Sequence, residues 1–111
     1  MPHSARPVHE VKANLFRVLG HPARVRILEL LRDGERSVGS LQAELELDSS
    51  GASQHLAALR RIGLVESRRE GTSVYYRVGD DAVFELLEAG RAIIGRRLAE
   101  QQSILRDLEA T

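Results

Sequence analysis

Cysteine is absent from the 111-residue chain. That removes a disulfide scaffold, a zinc finger, a thiolate nucleophile and a thiol redox sensor from consideration. Long hydrophobic runs are missing too. No apolar stretch approaches the roughly 18 to 20 residues of a membrane span, and Met1-Pro2-His3-Ser4-Ala5-Arg6 does not read as a signal peptide. A reducing cytoplasm is the expected compartment, with no membrane partner. The chain holds no Ser/His/Asp or paired-carboxylate arrangement and no Gly-rich phosphate loop, so neither an enzyme nor a cofactor is expected. Net charge is zero, with 16 basic and 16 acidic side chains, and Lys12 is the only lysine.

What is present has an uneven distribution. Residues 49–79 carry five cations (Arg60, Arg61, Arg68, Arg69, Arg77) against Glu66 and Glu70, whereas residues 80–111 carry four basic and seven acidic groups. The middle of a neutral chain is therefore cationic, and its cations are arginines, which suit bidentate contact with phosphate or guanine. The length fits one domain, residues 1–111, and a chain this short buries only about two thirds of its surface, which favours a homodimer.

Apolar spacing predicts a helix from about Val8 to Leu19, ended by Gly20. Pro22 opens a second, with Ala23, Ile27, Leu28, Leu30 and Leu31 inward, stopped at Asp33-Gly34. A short third helix spans Val38 to about Glu46. Leu47-Asp48-Ser49 is a turn with Asp48 or Ser49 as N-cap. A fourth helix follows from about Ser50 to Ile62. Its Ala52, Leu56, Leu59 and Ile62 or Gly63 face inward, leaving Ser50, Ser53, Gln54, Ala57, Arg60 and Arg61 outside. The period then falls to two. Leu64–Arg69 and Thr72–Val78 read as strands about Glu70-Gly71. A last helix runs from about Asp81 to Glu109, with Asp80 and Asp81 as caps. The fold class is mainly α with a small β-hairpin, in the order α-α-α-α-β-β-α.

Leu41, Leu45, Leu47, Leu56 and Leu59 tie the third and fourth helices into a corner. Small polar side chains let the fourth helix approach base edges in a major groove about 12 Å wide. Gln54 can read adenine with two hydrogen bonds. Ser49, Ser50 and Ser53 can meet phosphates or bases, and the helix N-terminus favours a phosphate. Arg68 and Arg69, beside Gly71 and Thr72, make a flexible cationic finger for the adjacent backbone or minor groove. His55 serves either DNA contact or helix packing.

These residues also carry a family resemblance. Pro22-Ala23-Arg24-Val25-Arg26-Ile27-Leu28 with Leu31, Ser37-Val38-Gly39-Ser40-Leu41, Ser53-Gln54-His55-Leu56-Ala57-Ala58-Leu59-Arg60, Gly63-Leu64-Val65 and Gly71-Thr72-Ser73-Val74-Tyr75-Tyr76-Arg77 together resemble the ArsR/SmtB winged-helix repressors. The likeness covers roughly residues 8 to 95. It implies a winged helix-turn-helix homodimer paired through its first and last helices. The fourth helix would enter the major groove of double-stranded DNA, with the hairpin as the wing. The family often has aspartate where this chain has His21, which can cap a helix or sit exposed.

The resemblance also locates metal sites to test. The third-helix thiolate site falls on Ser37 and Gly39, neither a soft ligand. The last-helix site falls on Asp80, Ala82, Ile93 and Arg96, where one ligand of four survives and Arg96 repels the ion. No metal is expected at either place. The remaining alternative is His3, His9 and Glu10 joined to a partner subunit's last helix, holding zinc or nickel.

A last helix of roughly 43 Å is too long to be covered by three small helices. Its stripe is expected to meet its own copy, joined by helix one. The expected dimer contacts are Val11, Leu15, Leu86, Leu87, Ile93, Ile94, Leu98 and Leu105, on dimerisation helices at about 8–19 and 81–109. Two fourth helices then lie about 34 to 36 Å apart, one turn of DNA. The expected function is a sequence-specific repressor of a two-fold symmetric operator. The alternative is a winged-helix protein-interaction or assembly module that does not read DNA. An unidentified small molecule, a partner protein or expression level alone is left open as the switch.

Overall fold

The structure is a computed structural model that describes residues 6–111. Helix α1 spans Val8–Leu19 and α2 spans Pro22–Leu30, followed by a 3-10 turn at Leu31–Asp33. Strand β1 is the pair Arg36–Ser37. Helix α3 is Val38–Leu45 and α4 is Ser49–Arg61. Strands β2 (Val65–Glu70) and β3 (Ser73–Val78) precede α5, Ala82–Ala110. The chain divides after Asp80 into two compact units.

The core of the first unit is aliphatic. Ile27, Leu28 and Leu31 of the second helical stretch meet Leu41 of α3 and Ala52, Leu56, Ala58 and Leu59 of α4, and all of these are buried. Leu64, Val65 and Tyr76 extend the core to the hairpin, while Val18 and Leu19 anchor the end of α1. Leu45 and Leu47 of the expected corner are half-buried. At roughly 1.5–3 kcal/mol for each fully buried large aliphatic side chain, this cluster supplies the main stabilising force on the corner.

The sheet is antiparallel, in the order β1-β3-β2. The turn sits one residue later than the expected Glu70-Gly71: β2 runs from Val65 on to Glu70, β3 begins at Ser73 rather than Thr72, Glu70 pairs with Ser73 and the loop is Gly71-Thr72. Gly71 takes a positive φ of 62°, where an L side chain is strained. Strand β1 was not visible as a period, since two residues carry none. Gly79 ends the hairpin under a steric limit: a Cβ there would lie 2.8 Å from the Gly63 carbonyl oxygen.

The second unit is the α5 helix alone. Asp81 stands at its N-cap position but makes no side-chain cap hydrogen bond, because its own backbone is already helical at φ −64°, ψ −16°. Its contribution there is the favourable placing of a negative charge at a helix start. No helix among the described residues is long and apolar enough to cross a membrane.

Candidate nucleic-acid interface

Helix α3 is capped by Ser37, whose hydroxyl accepts from the Ser40 backbone N–H at 3.1 Å. It ends at Glu46 in the left-handed region, φ 53°. That reversal turns the chain into Leu47-Asp48. Of the two candidate caps for α4, Asp48 is the one used: its carboxylate accepts from Gly51 N–H at 2.7 Å. An acidic cap also answers part of the helix dipole, so the α4 terminus is less open to a phosphate than an uncapped one.

Beyond the cap, the helical period sorts the residues. Ser49, Ser50, Ser53, Gln54, Ala57, Arg60 and Arg61 are exposed, while Ala52, Leu56, Ala58 and Leu59 are buried. Ser50, Ser53, Gln54, Ala57, Arg60 and Arg61 follow one another at three- and four-residue steps and form one outward stripe. His55 is half-buried beside that stripe. Its Nδ1 accepts from Arg24 Nε at 3.1 Å, and its ring lies 4.3 Å from the His21 ring, centroid to centroid. Of its two anticipated roles, this geometry supplies the packing one. Burial, then His21 and Arg24, push the His55 ring below the usual histidine pKa. His21 caps α2 by accepting from Ala23 N–H at 3.1 Å.

The five arginines of the cationic stretch separate into two groups. Arg68 is held by two carboxylates. Its Nε and Nη2 bind both oxygens of Glu35 at 2.8 and 2.6 Å, and its Nη1 meets Glu70 at 2.7 Å. Its guanidinium also lies 4.7 Å over the Tyr75 ring. Hydrogen bonding to Glu35 and Glu70 raises the pKa of Arg68 further, and the same guanidinium holds the Glu35 carboxyl below the usual carboxylate range. Arg77 is likewise bound to Glu66, at 3.0 and 2.7 Å. By contrast, among the described residues Arg60 bonds only the neutral Ser67 hydroxyl, at 3.3 Å. Arg61 and Arg69 are exposed and make no ion pair among the described residues.

Strand alternation explains the division. Glu66, Arg68 and Glu70 share one face of the hairpin with Ser73, Tyr75 and Arg77; Val65, Ser67 and Arg69 share the other with Val74, Tyr76 and Val78. Buried Val65 and Tyr76 and the Arg60–Ser67 bond mark the second face as the one turned to α4. Arg69 is therefore on the same side as the α4 arginines, and the finger is tethered through Arg68. Thr72, in the loop, is exposed. Composition could not show this, because Glu35 lies 33 residues from Arg68. The signal that was available was the period-two placing of Arg68 between two glutamates.

Among the described residues, no three His, Cys, Asp or Glu side chains cluster as a metal site would need. His3, part of the alternative site with His9 and Glu10, lies outside the described residues. The anticipated dimer contacts are placed as follows: Leu15, Leu86 and Leu87 are half-buried, and Val11, Ile93, Ile94, Leu98 and Leu105 are exposed. Val8, Phe16, Ile104 and Leu108 are further large apolar side chains left exposed.

Comparison with known proteins agrees with this arrangement. The family model described as bacterial regulatory protein, arsR family, matches residues 21–67, from the α2 cap through α4 into β2. The chain is 42% identical over 107 residues to the helix-turn-helix transcriptional regulator Rv0081 of Mycobacterium tuberculosis, covering 96% of this chain and 94% of that one. The crystal structure of that regulator superposes with a TM-score of 0.80 at 42% identity, over 87% of this chain and 98% of that one. A biofilm growth-associated repressor of Agrobacterium fabrum is 42% identical over 81 residues, 73% of this chain and 69% of its own. The solution structure of a homodimeric winged helix-turn-helix DNA-binding domain from Mycobacterium bovis, at 33% identity, gives a TM-score of 0.71 over 88% of this chain and 93% of that one. A winged corner of this geometry, shared along nearly the full length of such a relative, places the chain in the ArsR family of bacterial transcriptional regulators.

Proposed function

We propose that this protein is a homodimeric repressor of transcription in the cytoplasm, reading a two-fold symmetric operator with α4 and bracing it with the hairpin. One observation carries the reading: a single outward stripe of Ser50, Ser53, Gln54, Arg60 and Arg61, joined on its own side by Arg69. Ser49, Ser53 and Gln54 suit base edges and nearby phosphates, while Arg60, Arg61, Arg69 and Thr72 suit the backbone on either side. Arg68 acts differently. Its charge is spent on Glu35 and Glu70, so it holds the finger in place. A protein-docking module would need an apolar or aromatic patch on this face, and the stripe contains none.

The apolar residues left exposed on α1 and α5 support a second copy as their cover. Val11, Leu15, Leu86, Leu87, Ile93, Ile94, Leu98 and Leu105 are the proposed contacts. The test is a titration of the purified protein with its own promoter and with random DNA at one fixed salt concentration. Equal affinity for the two defeats the proposal. Adding zinc, nickel and metabolites of neighbouring genes to the same assay identifies any inducer.

Two substitutions separate reading from bracing. Gln54→Ala is expected to lose about 1–3 kcal/mol of discrimination at one base pair while keeping its grip on random DNA. Arg69→Ala is expected to weaken all sequences alike and to lower the salt slope by about 1 per contact. Arg68→Ala is expected to weaken binding less than Arg69→Ala. Competition titrations with operator variants decide the first, and a salt series the others.

A further inference from the structure

Arg24 joins three helices. From α2 its Nη1 donates to the Val18 carbonyl in the last turn of α1, at 3.2 Å, and its Nε donates to His55 Nδ1 on α4, at 3.1 Å. The Val18 oxygen is one of the last four carbonyls of α1, which have no partner inside the helix. His55 directly follows Gln54, the proposed base reader. A guanidinium can only donate, so His55 Nδ1 must carry a lone pair and no proton. The His21 ring, beside His55, is also fixed with Nδ1 accepting, since a backbone N–H donates to it.

We propose that Arg24 and His55 are positioning residues for DNA reading, and that α4 is held at its working angle to α1 only while the His55 ring is neutral. The proposal rests on the DNA-binding reading above. A proton on Nδ1 removes the only acceptor that Arg24 has on α4. It also sets an imidazolium against a guanidinium at hydrogen-bond distance. Among the described residues, the titratable and charged groups acting on the ring are His21 and Arg24, both from the start of α2. Burial acts in the same direction, against the charged ring. Protonation therefore frees the α4 end of the link while the Val18 end stays bound. Because α1 belongs to the proposed dimer seam, the link also ties the angle of each α4 to that seam.

The direction of the effect is diagnostic. Extra positive charge near DNA tightens phosphate binding in general. Here acidification is expected to weaken specific binding. Operator and random DNA are titrated with the full-length wild type, His55→Asn and Arg24→Met, from pH 8 to pH 5.5 at constant ionic strength. Asparagine places an oxygen acceptor near the Nδ1 position and does not titrate. The wild type is expected to lose operator affinity about tenfold or more on the acid side of the range, with random DNA unchanged or bound more tightly. His55→Asn is expected to show no acid-side weakening, whatever its affinity at pH 8. Arg24→Met is expected to bind operator about tenfold less well at pH 8.

Circular dichroism at each pH separates loss of fold from loss of binding. Imidazole NMR of the free protein follows His55 itself, and Arg24→Met is expected to move its titration. An acid profile shared by wild type and His55→Asn overturns the proposal, as does tighter operator binding in acid. If the wild type does not prefer operator at pH 8, the DNA-binding reading has failed. A His55 ring that titrates at the ordinary value in wild type and Arg24→Met alike then removes the link as well.

Discussion

Replacing Leu98 and Leu105 together by glutamate is expected to convert the protein to single subunits and to lower operator affinity by about a thousandfold or more. Both side chains are more than half exposed, at 54% and 57%, and neither belongs to the buried aliphatic cluster of the first unit. What it removes is apolar surface left exposed on α5. Each leucine contributes roughly 1.5–3 kcal/mol when buried, and a two-fold axis counts every one twice. Carboxylates on such a seam cost more again, because each must be desolvated without a partner. A subunit alone still presents one α4 helix, but it loses the second half-site one helical turn away, and its binding falls toward the level of random DNA. Sedimentation velocity and an operator titration on the same sample check both parts. Single subunits that bind operator as the wild type does would sever dimerisation from DNA reading.

The second large effect is the response to salt. Arg60, Arg61 and Arg69 are exposed; as the proposed backbone contacts in each of two subunits, they would engage about six phosphates. The slope of log affinity against log salt is then expected near −5, and affinity is expected to drop about a thousandfold between 50 and 200 mM. Had all five arginines of the stretch been free, the slope would approach about −9. Glu35, Glu70 and Glu66 make the difference, since they bind Arg68 and Arg77 before any phosphate arrives. A measured slope near −9 means that DNA displaces these carboxylates, and the hairpin is then a reserve of charge. Anisotropy titrations at five or six salt concentrations are enough to decide.

Much of this was legible from residue order. The limits of α1 are those that Val8, Val11, Leu15 and Leu19 predict, and Gly20 closes it. The outward stripe of α4 follows from helical spacing alone, because Ala52, Leu56 and Leu59 leave only one other face. What stayed hidden depends on residues distant in the chain or on backbone angles. Strand β1 is two residues long and exists because Arg36 and Ser37 pair with Tyr76 and Tyr75. The commitment of Arg68 requires Glu35 to come alongside it, which no local pattern reports. The choice of packing for His55 depends on Arg24, 31 residues earlier. Asp81 as a side-chain cap fails on its own helical dihedrals.

The Glu35–Arg68 tether has a calorimetric consequence. Its carboxyl is stabilised in the ionised form, chiefly by the hydrogen bond from Arg68, so its share of fold stability is complete above about pH 5 and is given up only as acidity passes the lowered value. His55 is depressed from a higher starting point, and its share is lost as pH falls from about 6.5 toward its own lowered value. Melting curves taken from about pH 6.5 down toward the lowered value of His55 therefore follow the α2–α4 junction, and the hairpin tether enters only in stronger acid. One molecule thus carries two internal thermometers, each tuned to a different stretch of the acidity scale.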